Sequence, residues 1–178
     1  LKWASLGEVY EEFHFPDGVD IEFPDTPAKF VANLKAAFPD DHPAIDEYMA
    51  LVREVSQGMR PYWLARAMPK GVSSLADRFL AQGAQEHFLK RTKDVIESLT
   101  DNPQLRTVFT AQWGYYGAPP SRASFAMQAL VLKHFLYGAY YPEGGSKAIA
   151  QWLLKRVADE GGWTRVGADV DEIIIKRG

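Results

Sequence analysis

Cysteine is absent from the 178 residues, which removes disulfides, thiolate catalysis and cysteine-ligated metal centres together. A surplus of one charge is missing too: 20 Lys and Arg against 23 Asp and Glu leave a net charge of −3. The basic residues are scattered in short pairs such as Lys90-Arg91, so no nucleic-acid partner is expected and nothing draws the chain to anionic lipid by charge. No uncharged apolar run reaches the roughly 18 residues a membrane span needs. The best stretch, Ala123 to Tyr137, is broken by Gln128, Lys133 and His134. Lys2-Trp3-Ala4-Ser5-Leu6-Gly7-Glu8 lacks the apolar centre of a signal peptide. These absences predict a cytoplasmic or peripheral protein. What remains is an ordinary globular composition, 47% apolar and 24% charged, sufficient for one core or two small lobes. The opening at Leu1 and the closing run Val170-Asp171-Glu172-Ile173-Ile174-Ile175 read as the cut ends of a longer chain.

Periodicity places a β-hairpin over residues 9–23. Val9, Glu11, Phe13 and Phe15 alternate with Tyr10, Glu12 and His14, and Pro16-Asp17-Gly18 supplies the turn. Thr26 and Pro27 open a helix carrying Phe30, Leu34 and Phe38 on one face. A longer helix from about Pro43 keeps the 3.6-residue period through Ile45, Tyr48, Met49, Val52, Val55 and Met59, with Gly58 and Pro61 expected to kink or end it. Ser74 and Asp77 resemble a capping box for a short helix with Leu75 and Phe79. Phe88, Thr92, Val95, Ile96 and Leu99 define another face, and Asp101 restarts a helix through Leu105, Val108 and Phe109. Ser121 is the expected cap of a helix apolar on nearly every side, hence central. Ser146 caps the last helix, with Ile149, Trp152, Leu153 and Val157 inward; Trp163–Val166 and Val170–Ile175 then read as strands. The fold class is α+β.

Motifs for acyl transfer, metalloproteolysis and nucleotide binding are absent, as is G-x-G-x-x-G. His14, His42, His87 and His134 are dispersed and read as structural or solvated, so no metal is expected. His134, inside the most apolar helix, is read first as a satisfied core group and second as a polar contact in a cavity. The neighbouring acids Glu11-Glu12, Asp40-Asp41 and Asp171-Glu172 diverge in direction and read as solvated or capping groups. Gly144-Gly145-Ser146-Lys147 is read first as a tight turn before a capped helix and second as a phosphate-binding helix N-terminus, for which the full P-loop spacing is missing. The aromatic cluster Trp113, Tyr115, Tyr116 and Phe125 lies among Gly114, Gly117 and the paired prolines Pro119-Pro120, irregular backbone of the kind that lines sites. Core packing and cavity wall both stay open there. Met59, Trp63 and Met68 read as core rather than as a partner surface.

The segments W-G-Y-Y-G-A-P-P-S-R-A-S-F-A-M (113–127) and Y-P-E-G-G-S followed by I-A (141–150) carry a family resemblance. F-P-D-G (15–18), A-F-P-D (37–40), S-L-T-D-N (98–102) and A-D-V-D-E-I (168–173) extend it over nearly the whole chain. The pattern resembles the FAD-dependent carotenoid and retinoid oxidoreductases: phytoene desaturases, carotenoid isomerases and retinol saturases. The resemblance implies a two-lobed flavoenzyme, in which residues 1–140 are a mostly helical substrate-binding lobe. Residues 141–178 are then a partial return into a doubly wound FAD domain. It implies FAD as cofactor, a lipophilic polyene as substrate, and peripheral membrane contact because such substrates reside in membranes. Val170 is placed at the adenine end of FAD and Gly144 and Gly145 near the junction of flavin and substrate. Trp113, Tyr115, Tyr116, Phe125 and Met127 line the substrate wall, with His134 as a polar contact; no catalytic residue is named. The family's N-terminal βαβ unit with its glycine turn and its C-terminal flavin-covering segment are not in this sequence, so their partners are expected to be other segments of the same protein. The piece alone is expected to be inactive. The alternative is a stand-alone helical module that binds lipid or protein.

Overall fold

The computed structural model describes residues 1–16, 18–67 and 89–175. In chain order the elements are β1 (Trp3–Ser5), β2 (Val9–His14), β3 (Asp20–Pro24), α1 (Pro27–Ala37), α2 (His42–Ala67), α3 (Thr92–Leu99) and α4 (Pro103–Thr110). A 3₁₀ turn (Ala111–Tyr115) follows, then α5 (Phe125–Phe135), β4 (Tyr140–Pro142) and α6 (Lys147–Asp159). The class is α+β. The chain folds as two compact units, Leu6–Ala139 and Leu1–Ser5 with Tyr140–Gly178.

The larger unit is built on the expected hairpin. β2 and β3 pair antiparallel, with Phe13 opposite Ile21 and His14 opposite Asp20, and a register shift interrupts the ladder between Val9 and Glu11. Gly18 takes φ 82° in the turn, a conformation that costs glycine nothing. β3 turns Ile21 and Phe23 into the core, where the Phe23 ring stands 5.0 Å from both Phe13 and Phe30. Thr26 accepts from the Lys29 amide and Pro27 begins α1, the arrangement expected of a Thr-Pro helix start. Phe30 and Leu34 bury that helix's apolar face. Burying each such side chain is worth about 2–3 kcal/mol.

α2 is the spine. Ile45, Tyr48, Val52, Val55 and Met59 recur at helical spacing and are all buried. The helix continues through Gly58 and Pro61 to Ala67 instead of ending there. Proline removes one backbone bond and costs about 3 kcal/mol in a helix interior, less than the burial of the apolar row returns. The short helix expected at Ser74–Phe79 lies outside the described residues, as do Met68, His87 and Phe88.

Two segments of the resemblance meet just beyond Phe38. Asp41 accepts from the Thr100 hydroxyl at 2.6 Å and the Asn102 amide at 2.8 Å. Asn102, not Asp101, caps α4, its Oδ1 receiving the amides of Gln104 and Leu105. Asp101 instead pairs with Arg106, which also donates to the Thr100 carbonyl. The S-L-T-D-N segment thus works as a cap and clamp.

α5 is central, as its composition requires: Phe125, Ala126, Gln128, Ala129 and Leu132 are buried against α2, α3 and the 3₁₀ turn. Its cap position is Ser124, which makes no side-chain cap bond, and Ser121 lies in the preceding turn. The reason is tertiary. Residues Pro119–Ser124 are held by backbone bonds to the start of α3, including Thr92 N to Ala123 O and Phe125 N to Lys90 O. Gly138, at φ 91°, ends the segment.

In the smaller unit β1 pairs antiparallel with β4, Ala4 opposite Tyr141. α6 follows Ser146, whose side chain makes no cap bond, and no residue of α6 is buried. Ile149, Trp152, Leu153 and Val157, expected inward, are exposed. The expected strands Trp163–Val166 and Val170–Ile175 are irregular and exposed. Both patterns depend on a partner: a strand exists through its partner's hydrogen bonds and an apolar helix face through the surface that covers it, and among the described residues neither is met here.

Candidate ligand-binding groove

The tyrosines of the W-G-Y-Y-G segment take separate roles. Tyr116, half-buried, donates to Gln128 Oε1 at 2.7 Å. Gln128 Nε2 in turn donates to the Phe109 carbonyl at 2.8 Å and to Tyr48 Oη at 3.3 Å. Tyr48 donates to the same carbonyl, and burial pushes its phenol well above the usual tyrosine range. Tyr116 therefore belongs to a buried network behind the surface. Phe125 is 1% exposed, edge-on to Tyr48 at 6.4 Å. It also lines a cavity of about 640 Å³ whose walls include Leu51, Val95 and Leu99 with the charged Glu47, Arg91 and Asp94.

Tyr115, Leu130, Val131, His134 and Phe135 line a separate groove of about 380 Å³ between the 3₁₀ turn and α5. Tyr115 packs on Phe135 at 4.9 Å, and His134 stands edge-to-face with Phe135 at 5.0 Å. His134 is exposed, which corrects its reading as a core group. It lies on the outward side of α5 with Val131 and Met127, three and seven residues back along the same stripe. Met127 and Trp113 are exposed but outside the groove lining. The expected wall is therefore divided: Tyr115 and His134 meet, Met127 and Trp113 flank, and Tyr116 and Phe125 support from inside.

The groove has a polar neighbour that the sequence reading passed over. Glu11 Oε1 accepts from the Tyr115 hydroxyl at 3.0 Å, and Glu11 Oε2 from Gln112 Nε2 at 2.9 Å. Gln112 Nε2 also donates to Tyr10 Oη at 3.2 Å, and the Tyr10 ring stacks on Phe135 at 5.5 Å. Glu11 is thus a positioned acceptor, not a solvated acid. Its place among Val9, Phe13 and Phe15 on the apolar face of β2 was the available signal. The register shift between Val9 and Glu11 brings Tyr10 to the same side, which alternation cannot foresee. Burial, above all, pushes the Tyr10 phenol up to about 12; the Gln112 bond opposes it, and the charge of Glu11 adds a smaller rise. Burial and Glu11 raise Tyr115 as well.

A phenol raised in the folded state holds its proton longer than in the unfolded chain. Its stabilising effect is complete below pH 10 and is lost as pH climbs toward 12. The urea midpoint is expected to fall across that window, and Tyr10→Phe to flatten the fall. An unchanged pH profile in Tyr10→Phe would contradict the assignment.

Glu12, His14 and Asp20 bring ligand-type atoms within 4.8 Å of one another, all exposed. The ring spends its two nitrogens on different carboxylates, Nδ1 at 2.8 Å from Asp20 and Nε2 at 3.9 Å from Glu12. That is an ion-pair chain, and Asp20 raises the His14 pKa accordingly.

Gly144 and Gly145 lie in the smaller unit with φ of 87° and 85°. A Cβ on Gly144 would sit 3.8 Å from Ala148 Cβ, and one on Gly145 in open space, so the turn itself requires glycine. Val170 is 77% exposed outside any strand. These three residues by themselves do not build a dinucleotide cradle. Among the described residues, no helix is long and apolar enough to cross a membrane.

The geometry defines a class: an α+β unit with an exposed apolar, aromatic groove beside buried polar groups. No protein-family model matches the chain. It is 33% identical over 153 residues to the all-trans-retinol 13,14-reductase of Danio rerio, a match covering 83% of this chain and 25% of that protein. With the Homo sapiens protein of the same name it shares 28% over 183 residues, covering 98% of the chain and 30% of the relative. With the 4,4'-diapophytoene desaturase (4,4'-diaponeurosporene-forming) of Staphylococcus haemolyticus (strain JCSC1435) it shares 23% over 164 residues, 92% of the chain and 33% of the relative. The chain belongs to the retinol saturase/carotenoid desaturase-like family. It spans about a quarter to a third of the length of these relatives.

Proposed function

We propose that this chain supplies the substrate-binding part of a FAD-dependent oxidoreductase that saturates, desaturates or isomerises a lipophilic polyene, a carotenoid or a retinoid. The observation that carries the reading is the groove of Tyr115, Leu130, Val131, His134 and Phe135, of which Tyr115 belongs to the W-G-Y-Y-G segment that carries the resemblance. A polyene is flat and nearly devoid of hydrogen-bonding groups, so aromatic faces and branched aliphatics are what can recognise it. The names of the relatives, for retinol reduction and diapophytoene desaturation, agree with that substrate class.

On this reading Tyr115 and Phe135 stack along the chain of double bonds, Leu130 and Val131 exclude water, and His134 supplies a polar edge. FAD would bring the hydride chemistry. It would be held by other segments of the protein, with which the exposed apolar side of α6 and the residues around Val170 associate. Residues 1–178 alone would then bind a polyene without converting it, and the protein would contact membranes peripherally to collect it.

The test is polyene binding by the full chain, followed by quenching of its intrinsic fluorescence with all-trans-retinol and with β-carotene. Val131→Asp places a charge in the groove and is expected to weaken both by roughly tenfold or more, with the circular dichroism spectrum unchanged. Binding that ignores the substitution, or no binding of either polyene by the unaltered chain, would overturn the proposal.

A further inference from the structure

Gln112 is 2% exposed and satisfies only half of its amide. Its Nε2 gives both hydrogens away, to Tyr10 Oη and Glu11 Oε2, while its Oε1 is buried with no hydrogen-bond partner among the described residues. A half-turn of the amide does not cure this, because it would set Oε1 against the Glu11 carboxylate, which has no proton to give. Glu11 is itself held by the Tyr115 hydroxyl. The carboxylate thus fixes which way the amide points and keeps one acceptor empty. A buried acceptor without a donor is costly and rare in folded proteins.

The empty acceptor belongs to a side chain that lines a small cavity of about 250 Å³, together with Glu11, Phe13, Ala111, Gly114 and Tyr115. Tyr115 is also a wall of the apolar groove, and Phe135 of that groove contacts both Tyr115 and Tyr10. The apolar groove and the smaller cavity, which carries Glu11 and Gln112, therefore share one tyrosine.

Resting on the polyene reading above, we propose that Gln112 Oε1 is the acceptor for the terminal hydroxyl of an amphipathic lipid whose apolar chain lies along Tyr115 and Phe135. Gln112 is then a specificity-determining residue and Glu11 a positioning residue that acts through it. The arrangement selects by donor. An alcohol fills the acceptor; a hydrocarbon leaves it empty. An aldehyde or a carboxylate brings a second acceptor, and the carboxylate also meets the charge of Glu11. Sites built around a substrate hydroxyl discriminate strongly against analogues without it, because their own polar groups are then left unpaired.

The experiment measures binding of all-trans-retinol, its methyl ether, retinoic acid and β-carotene to the full chain by fluorescence quenching. All-trans-retinol is expected to bind roughly tenfold more tightly than the ether, which keeps the polyene and loses only the donor. In Gln112→Met, of similar length but without the acceptor, that preference is expected to shrink to about twofold or less. Glu11→Gln, which frees the amide to turn, is expected to reduce it as well. Equal affinity for retinol and its ether in the unaltered chain overturns the assignment even if Gln112→Met fails to fold. So does a preference that survives in Gln112→Met. If the ether and β-carotene bind as well as retinol, the polyene groove stands and the Gln112 role falls. If none of the four ligands binds, both readings fall.

Discussion

Phe109→Ala is expected to lower the free energy of unfolding by about 4 kcal/mol, the range found for removing a packed aromatic ring from a core. The ring is 2% exposed and stacks on Tyr48 with centroids 4.1 Å apart and planes 22° from parallel. Tyr48 is a buried aromatic of α2, and it also meets Phe125 of α5 edge-on. The Phe109 ring therefore closes the space where α2, α4 and α5 converge. Its backbone carbonyl, which receives Gln128 and Tyr48, survives the substitution, so the loss measures packing rather than hydrogen bonding. Urea unfolding followed by far-ultraviolet circular dichroism gives the number. A loss below about 1 kcal/mol would mean that no such convergence exists in solution.

Gln128→Leu is expected to cost about 2–3 kcal/mol, although it replaces a buried polar group with an apolar one of similar size. Gln128 is 1% exposed and makes three bonds, accepting from Tyr116 and donating to Tyr48 and the Phe109 carbonyl. Leucine takes away the acceptor of the half-buried Tyr116 hydroxyl and one donor each to Tyr48 and the Phe109 carbonyl inside the core, and lost buried bonds carry a desolvation cost. The paired change Gln128→Leu with Tyr116→Phe removes that hydroxyl as well and should recover about 1 kcal/mol. If Gln128→Leu proved neutral, the glutamine would be a passive occupant of the core and not the tie between the W-G-Y-Y-G segment and α2. Because Tyr116 sits one residue from Tyr115, loss of this tie should also loosen the groove wall. Weaker polyene binding in Gln128→Leu, restored in part by the paired change, is the accompanying expectation.

Residue spacing alone located the hairpin, the Thr26-Pro27 start of α1, the buried row of α2 and the central character of α5. Each is a local pattern whose physical cause lies within a turn or two of chain: alternation, a cap, a helical stripe. The misjudgements share the opposite property. Asn102 rather than Asp101 caps α4 because Asp41, distant in sequence, holds it. α5 starts at Phe125 because its leader is bonded to the start of α3. The last two strands and the inward face of α6 were expected from β-branched content and periodicity, and neither pattern can act without a partner surface. In the site, Tyr115 and His134 were legible as an aromatic, apolar cluster with one polar member. Gln112 was not, since nothing in its neighbours distinguishes a buried glutamine from a solvated one.

The amino-acid sequence by itself determined the α+β class and the apolar rows that make the core, because these follow from composition and short-range periodicity, and its motifs carried the family resemblance. Only the tertiary structure decided that Glu11 and Tyr10 of β2 turn toward the 3₁₀ turn and α5, that Tyr116 faces inward while Tyr115 faces the groove, and that Gln112 keeps an acceptor free. Those outcomes depend on a register shift and on contacts about a hundred residues apart in sequence. The energy of such contacts comes from which groups are left without water, and burial is settled only when the whole unit has folded.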